Sequence, residues 1–502
     1  MAEKPRIMPA AKEDWSKTAD FLAREMEREP TFQDTALSPL RKSTLRYVYS
    51  ELAPLAPSDH ALDIARSVTG HILSRYVDLM AFTSAKFSVE QDKNISQQWL
   101  DVLRAYPALN QGIAIRLMLT VRSVRVILEN RERHRLRLSD DFAIDPSDEI
   151  ANIAIGLGDA HYGGATVSRI HFKSGKTLIY KPRSASSAMA FRQIHDLVSG
   201  RLPGELRLRF PKILHGGNHT WEEEVAQEDC RTTSEVEQFY RRAGLLLAIC
   251  QLCRSADMHN ENIIATGPNP VPIDTEAFAA PSPYGVSRYD MRSKLWFSKT
   301  SVTDLAMLPH DVLTSDGLSR RESTFHSRTV NISEETCGPR INGHRIPIED
   351  FASFFTEGFS AACASIWYLQ ADSNWTSHLR DLCQSQPRII LRPTQFYANI
   401  AREIYGCYID LDVSSVRQKF LEKSRGTSPS KEVEAIACAE ADAMMLGDIP
   451  TFILDREAFD RLALPPVSTS LPTPPASLCE LSDFAPDSVT RETNLLKQAL
   501  AI

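Results

Sequence analysis

Residues 257–276 read DMHNENIIATGPNPVPIDTE, and the fold and function predictions depend on this stretch. Asp257 is followed by Asn262, and two further acids, Asp274 and Glu276, come after the strand-like run IIAT. A carboxylate can orient or deprotonate an attacking hydroxyl group, whereas amide and carboxylate oxygens are the hard ligands that Mg²⁺ prefers. The spacing therefore predicts a base at Asp257 and a magnesium site at Asn262, Asp274 and Glu276.

This order of acid, amide and acid is typical of kinase-type phosphotransferases, and two upstream features agree with it. Lys181 ends the predicted strand TLIYKPR, where it can present a positive charge to nucleotide phosphates. Gly163 and Gly164 lie between two predicted strands, and without Cβ atoms their amides can approach phosphates closely. The joint order predicts a kinase-like fold. The carboxylate that would anchor the lysine is left open among four candidates, because the following helix has no glutamate: Glu222, Glu223, Glu224 and Asp159.

The composition indicates a globular protein and disfavours nucleic-acid and membrane roles. The chain has 502 residues, and 57 Lys and Arg against 64 Asp and Glu give a net charge of −7, which leaves no basic excess to bind a phosphate backbone. The longest central apolar stretch, 243–250, is far shorter than the roughly 20 residues of a membrane helix, and the first residues lack the apolar core of a signal peptide. Nine cysteines, an odd number, are expected to be reduced thiols in a cytoplasmic chain.

Hydrophobic periodicity predicts an α+β protein built from four segments. Residues 1–145 form a helical region, 146–222 a small β-rich lobe, 223–463 a larger helical lobe, and 464–502 a Pro-rich linker with a terminal helix. A long helical pattern in the first segment carries seven arginines. They are expected to form a solvated face or, less commonly, to dock an acidic peptide: Arg116, Arg122, Arg125, Arg131, Arg133, Arg135 and Arg137.

Several residues do not belong to a simple kinase set. Asp159 and His161 lie inside the predicted phosphate loop GDAHYGG, and Arg388 precedes the run Arg392-Pro393-Thr394 far downstream. In isolation such arginines usually form surface salt bridges.

Together these motifs resemble the dehydratase domain of the type 2 lanthipeptide synthetases, the LanM-type lantibiotic-modifying enzymes. The resemblance rests on GDAHYGGATV, YKPRS, YRRAGLLLAI, DMHNENIIATG, PIDTEAF, RIILRPTQFY and GDIP, which occur in the family's order between Leu103 and Phe452. Ordinary kinases carry neither the GDxH loop nor the Arg-x-x-x-Arg-Pro-Thr run, so the combination is specific.

The resemblance implies a lipid-kinase-like fold with ATP and Mg²⁺ between two lobes. Such an enzyme phosphorylates Ser and Thr of a precursor peptide and then eliminates phosphate, which leaves dehydroalanine and dehydrobutyrine. The residues that match the family's phosphorylation site are Lys181, Asp257, His259, Asn262, Asp274 and Glu276. Those that match positions used mainly in elimination are Asp159, His161, Arg388 and Thr394. Which residue removes the Cα proton is left open.

Two departures from the family are visible. Full-length synthetases carry a C-terminal zinc cyclase, whereas this sequence ends shortly after GDIP and its linker, so any thioether rings are expected to require a separate cyclase. The family's GDIPYF also reads GDIPTF here, with Thr451 in place of the aromatic residue. The expected partner is a ribosomally made precursor peptide with its leader.

Two other interpretations stay open. The chain could be a peptide kinase that releases phosphorylated product, although the presence of Arg388 and Thr394 disfavours this. It could also be a non-catalytic subunit that presents the precursor to other enzymes. The complete set of acids, amide and lysine disfavours that role, because a binding module has no chemical need for it.

Overall fold

The computed structural model describes residues 11–28, 38–57, 59–80, 95–255, 257–277, 289–290, 295–296, 307–308, 310–313, 319–327, 337–372, 375, 385, 388–389, 391–392, 394–407, 411–426, 431–453, 463–464, 467–470 and 484–500. Within these ranges, none of the helices has both the length and the apolar character required to span a bilayer.

The chain is α+β, mainly helical with one small antiparallel sheet and several two-stranded ladders. The helices are α1 (Ala11–Arg28), α2 (Ser38–Leu52), α3 (Ala61–Met80), α4 (Ile95–Ala105), α5 (Pro107–Phe142), α6 (Ser186–Ser199), α7 (Thr233–Cys253), α8 (Ala352–Tyr368), α9 (Thr394–Cys407), α10 (Val413–Arg425), α11 (Lys431–Met445) and α12 (Pro486–Ala499). The strands are β1 (Ile150–Ile155), β2 (Ser168–Phe172), β3 (Thr177–Lys181), β4 (Ile213–His215), β5 (Thr220–Glu223), β6 (Ile263–Thr266), β7 (Asn269–Pro272), β8 (Tyr289–Asp290), β9 (Leu295–Trp296), β10 (His310–Leu313), β11 (Ser319–Glu322), β12 (Arg340–Ile341), β13 (His344–Arg345), β14 (Arg388–Ile389), β15 (Phe452–Ile453), β16 (Ala463–Leu464) and β17 (Val467–Ser470).

The chain divides into two compact units that are each discontinuous in sequence. The first unit comprises Met1–Ser184, Ile213–Glu223 and Arg392–Pro450, and the second comprises Ala185–Lys212, Glu224–Leu391 and Thr451–Ile502. The predicted four-segment division stays a prediction, and most of its Pro-rich linker, at 465–466 and 471–477, lies outside the described residues.

The sheet of the first unit has the strand order β1-β2-β3-β5-β4, and all of its neighbours are antiparallel. The sequence pattern predicts the first three of these strands, because each alternates apolar and polar residues over a sufficient length. It misses β4 and β5, which have only 3 and 4 residues. The missed strand β5 is important because it carries Glu222 beside the end of β3.

Helix α5 forms much of the core of the first unit. It begins with Pro107 at its first turn, where the missing amide hydrogen costs no helical bond, and it ends at Ala143 in the left-handed conformation. The expected solvated arginine face is wrong for Arg116 and Arg131, which are buried. Arg116 donates to the Gly112 carbonyl and lies over the Tyr405 ring, and Arg131 donates to the Pro146 carbonyl, so both charges are satisfied inside the unit.

In the second unit, α7 and α8 cross at two glycines. A Cβ atom on Gly244 would lie 2.0 Å from the Phe355 carbonyl oxygen, and one on Gly358 would lie 1.9 Å from that of Arg241. The absence of side chains at these positions lets the two helix backbones approach closely. Helix α7 then ends at Arg254, which has a φ of 49°, and this turn directs the chain into the DMHNEN segment.

Candidate active site

Lys181 forms an ion pair with Glu222 at the end of β3. The Lys181 Nζ atom lies 2.9 Å from Glu222 Oε2, and the two residues are 9% and 5% exposed. Lys181 is registered opposite Thr220 on β5, so Glu222 is its diagonal neighbour on the same face of the sheet. Of the four carboxylates that the sequence left open, Glu222 is thus the one the structure pairs with the lysine.

The loop between β1 and β2 carries Asp159, His161, Gly163 and Gly164. The backbone amides of Gly163 and Gly164 donate to the carboxylate of Asp448, over 2.6 and 2.8 Å. These are the amides that the sequence assigns to nucleotide phosphates. Their phosphate-binding role stays a prediction, and the structure gives them a protein carboxylate as acceptor.

Asp159 and Thr394, both assigned to elimination, contact each other in the first unit. The Thr394 hydroxyl donates to Asp159 Oδ2 over 3.1 Å, and both side chains are exposed. Thr394 is the first residue of α9, and the start of this helix is fixed by the buried Arg392, whose Nε atom lies 2.6 Å from Glu440 Oε1. The intervening Pro393 lies outside the described residues.

The DMHNEN segment of the second unit is folded back on itself. The Asn262 side-chain amide donates to the Asp257 carbonyl over 2.7 Å, and the Asn262 backbone amide donates to the His259 carbonyl. The backbone carbonyl of Asn262 in turn accepts from Ile273, which brings the hairpin of β6 and β7 back beside the segment. Asp274 therefore follows directly after a residue that is bonded to Asn262.

Arg388 lies in a cluster of carboxylates with the residues predicted for phosphorylation. Its Nη2 atom lies 2.6 Å from Asp257 Oδ2 and 3.9 Å from Asp274 Oδ2, and its Nε atom lies 3.4 Å from Glu276 Oε1. The backbone amide of Arg388 also donates to the Glu276 carbonyl over 2.9 Å. The residue that the resemblance assigns to elimination is thus held among the acids assigned to phosphoryl transfer.

His259 completes this cluster, and its pKa is raised above the ordinary value of histidine. Burial alone would lower the pKa of His259, but the hydrogen bond and charge of Asp257, with the charges of Glu261 and Asp274, raise it. Its Nε2 atom lies 3.3 Å from Asp257 Oδ1, and its Nδ1 atom accepts from the Glu261 amide over 3.3 Å. His259 is therefore placed to hold the orientation of the Asp257 carboxylate.

The donor set of this cluster fits magnesium chemically. Asn262, Asp274 and Glu276 offer one amide oxygen and two carboxylates, which are hard oxygen ligands. Across the part of the chain that the structure describes, no group of three or more His, Cys, Asp or Glu side chains is arranged to hold a metal ion. In the structure the carboxylates of Asp274 and Glu276 face the Arg388 guanidinium, and the magnesium site stays a prediction.

Two residues that contact predicted site residues or their neighbours in the first unit were not identified from the sequence, namely Asp448 and Glu440. Asp448 had a signal in the GDIP motif, but the motif alone does not show which group the aspartate binds. Glu440, the buried partner of Arg392, lies in an alanine-rich helical pattern and had no such signal.

Comparison with known protein families gives a match over most of the chain. A family model described as a domain of unknown function (DUF4135) matches residues 106–324 and 317–455. The lacticin 481/lactococcin biosynthesis protein LcnDR2 of Lactococcus lactis subsp. lactis is 30% identical to the chain over 126 residues. That alignment spans 24% of this chain and 13% of the relative, so only a small part of the relative is matched.

The buried ion pair leads to a prediction about stability. Removing one partner of a buried pair typically costs about 3–5 kcal/mol, because the other charge stays buried without compensation. We expect Lys181→Met to lower the free energy of unfolding by about this amount in urea denaturation, and Lys181→Met with Glu222→Gln to recover most of the loss. A single variant as stable as the native protein would contradict the pairing.

Proposed function

The chain belongs to the DUF4135 family, and from this premise we propose that it is a lanthipeptide dehydratase, which phosphorylates Ser and Thr of a precursor peptide with ATP and then eliminates the phosphate. One observation carries the proposal: the guanidinium of Arg388 lies 2.6 Å from Asp257 in the cluster that includes Asp274 and Glu276. The similarity to a lacticin 481/lactococcin biosynthesis protein supports a peptide substrate of that class and a role in lanthipeptide biosynthesis.

In the phosphorylation step, Asp257 is assigned to orient the substrate hydroxyl and accept its proton. The hydroxyl oxygen forms a bond to the γ-phosphorus of ATP while the bond from that phosphorus to ADP breaks. His259 holds the Asp257 carboxylate, and Lys181, fixed by Glu222, supplies positive charge to the nucleotide phosphates. Asn262, Asp274 and Glu276 would hold Mg²⁺, which neutralises charge on the phosphates when it is bound.

In the elimination step, a base removes the Cα proton, the Cα–Cβ double bond forms, and the Cβ–O bond breaks with its electrons leaving on phosphate. Arg388 is assigned to the departing phosphate, because a guanidinium matches phosphate oxygens in charge and geometry. Asp159 and Thr394 are assigned to the same step on the basis of their mutual contact and the family resemblance. His161 is assigned with them, since it lies on the same loop.

Mass spectrometry of a candidate precursor peptide tests the proposal. The peptide is incubated with the protein, ATP and Mg²⁺, and the expected product has lost water at Ser or Thr. Accumulation of phosphopeptide would instead identify a kinase that releases its product. An unchanged peptide would favour a binding subunit, and both of these outcomes contradict the proposal.

The first prediction concerns Asp257. Asp257→Asn should stop both phosphorylation and dehydration of the peptide, because a positioned acid–base group typically contributes about 10²–10⁴-fold to the rate. Asp196→Asn is the matched control, since Asp196 is an exposed carboxylate of the same unit and should leave the rate unchanged. Normal dehydration by Asp257→Asn would refute the assignment.

The second prediction concerns Thr394 and separates the two steps. Thr394→Ala removes the hydroxyl that contacts Asp159, so phosphorylation should persist while phosphopeptide accumulates. A synthetic phosphopeptide supplied with nucleotide and Mg²⁺ should be converted by the native protein and more slowly by the variant. Gln395→Ala is the control, because Gln395 is the next exposed residue on the same helix. Equal conversion by both variants would show that Thr394 has no part in elimination.

A further inference from the structure

The loop that carries Asp159 has an unusual backbone. We call residues 156–165 the Asp159 loop. Three successive residues in it, Tyr162, Gly163 and Gly164, have φ values of 51°, 87° and 79°. A non-glycine residue with positive φ is uncommon, and it persists only when the surrounding structure holds it in place. Tyr162 is 44% exposed, so burial of its ring does not provide that constraint.

Asp448 and its neighbour Ile449 supply the constraint from the end of α11. Asp448 is 5% exposed, and its two carboxylate oxygens accept from the amides of Gly163 and Gly164 over 2.6 and 2.8 Å. Ile449 bonds to the loop through both of its backbone groups. Its amide donates to the Ala160 carbonyl over 2.8 Å, and its carbonyl lies 2.7 Å from His161 Nδ1.

Two arginines balance the buried charge of Asp448. Arg75 donates to the Gly447 carbonyl over 2.7 Å, and the Arg116 guanidinium fills the space next to Gly447, where a Cβ atom would lie 2.7 Å from Arg116 Nε. Burial raises the pKa of Asp448, while the glycine amides and the charges of Arg75 and Arg116 act in the opposite direction. The amides and the arginines offset only part of the rise in the pKa of Asp448, and the two glycine amides are the direct hydrogen-bond donors to its carboxylate.

We propose that Asp448 is a positioning residue for elimination, which holds the Asp159 loop so that Asp159 meets Thr394. The inference rests on the proposed function. The inference goes beyond that function because it gives a role to Asp448, which does not contact the predicted reacting groups. The contact that Asp448 would preserve is the hydrogen bond of 3.1 Å between Thr394 Oγ1 and Asp159 Oδ2. The acids assigned to phosphorylation lie in the second unit, which does not contain Asp448. Gly163 and Gly164, which the sequence predicts for nucleotide phosphates, contact Asp448 directly, so we expect phosphorylation to fall as well, but less than elimination.

The main test replaces Asp448 by its isosteric amide. In Asp448→Asn one carboxylate oxygen becomes an NH₂ group, which cannot accept from a glycine amide. Because a small misplacement of a catalytic group can cost about 10²-fold, we expect conversion of phosphopeptide to fall by up to this factor and phosphorylation of the unmodified peptide to fall less. Asp442→Asn is the control, since Asp442 lies on α11, which precedes Asp448, in an exposed pair with Arg417.

A second pair of variants keeps the test decisive if Asp448→Asn folds poorly. Gly164→Ala forces a side chain into a residue with positive φ and brings its Cβ atom to 2.9 Å from Leu119 Cβ. Gly175→Ala has the same backbone strain, with a φ of 84°, but meets nothing within 4 Å. Only the first of these two variants should slow elimination, although both should lose stability through the strained φ.

Hydrogen exchange separates failure of the inference from failure of the proposed function. In Asp448→Asn, peptides that cover the Asp159 loop should exchange faster than in the native protein, whether or not the protein is active. Faster loop exchange with slower elimination is the result expected. If the native protein leaves phosphopeptide intact, the proposed function is refuted, and the catalytic part of the inference with it. If the native protein and Asp448→Asn eliminate phosphate equally well, the inference alone is overturned.

Discussion

The ion pair between Arg388 and Asp257 is the interaction on which the rest of the site depends. Three carboxylates lie around one guanidinium, and without that charge Asp257, Asp274 and Glu276 would repel one another across a few ångströms. The backbone bond from Arg388 to Glu276 fixes the arginine from its main chain as well. The cluster therefore has a fixed cation at the place where, in the proposed reaction, phosphate is first transferred and later released.

This placement explains how one polypeptide could combine two opposite demands. Phosphoryl transfer needs a base and a magnesium site, whereas elimination needs a cation for phosphate as it leaves. In the proposed reaction, Arg388 already contacts Asp257 and would meet the second demand without a separate phosphate site. The Asp159 loop is held separately, because Asp448 accepts hydrogen bonds from the amides of Gly163 and Gly164. The carboxylate cluster is thus held by Arg388, and the Asp159 loop is held by Asp448.

The sequence predicted those features that follow from local pattern. The long helix α5 and the strands β1 to β3 have clear periodicity, and DMHNEN gives its acid and amide at a recognisable spacing. Features that depend on contacts distant in sequence could not be derived in this way. Glu222 was one of four candidates, because the strand that carries it has only 4 residues and went unrecognised.

The same limit applies to the two arginine contacts that matter most. Arg388 is 131 residues from Asp257, and no local pattern connects them. The sequence therefore predicted the two residues for separate steps, whereas the structure places them in contact. Arg116 has the spacing of a surface residue on an amphipathic helix, yet it is buried near Asp448 because Gly447 leaves room for its guanidinium. In both cases the tertiary environment, and not the local pattern, decides the role of the charge.

Separate assays of phosphorylation and of elimination by the Arg388→Met variant test the central claim most directly. One assay supplies unmodified peptide with ATP and Mg²⁺ and measures phosphate gained, and the other supplies phosphopeptide and measures phosphate lost. Because Arg388 contacts Asp257 as well as the predicted metal ligands, the account predicts that both rates fall. A variant that phosphorylates at the native rate and fails only in elimination would contradict the claim that phosphoryl transfer depends on the pair of Arg388 and Asp257, although it would agree with a role of Arg388 in elimination.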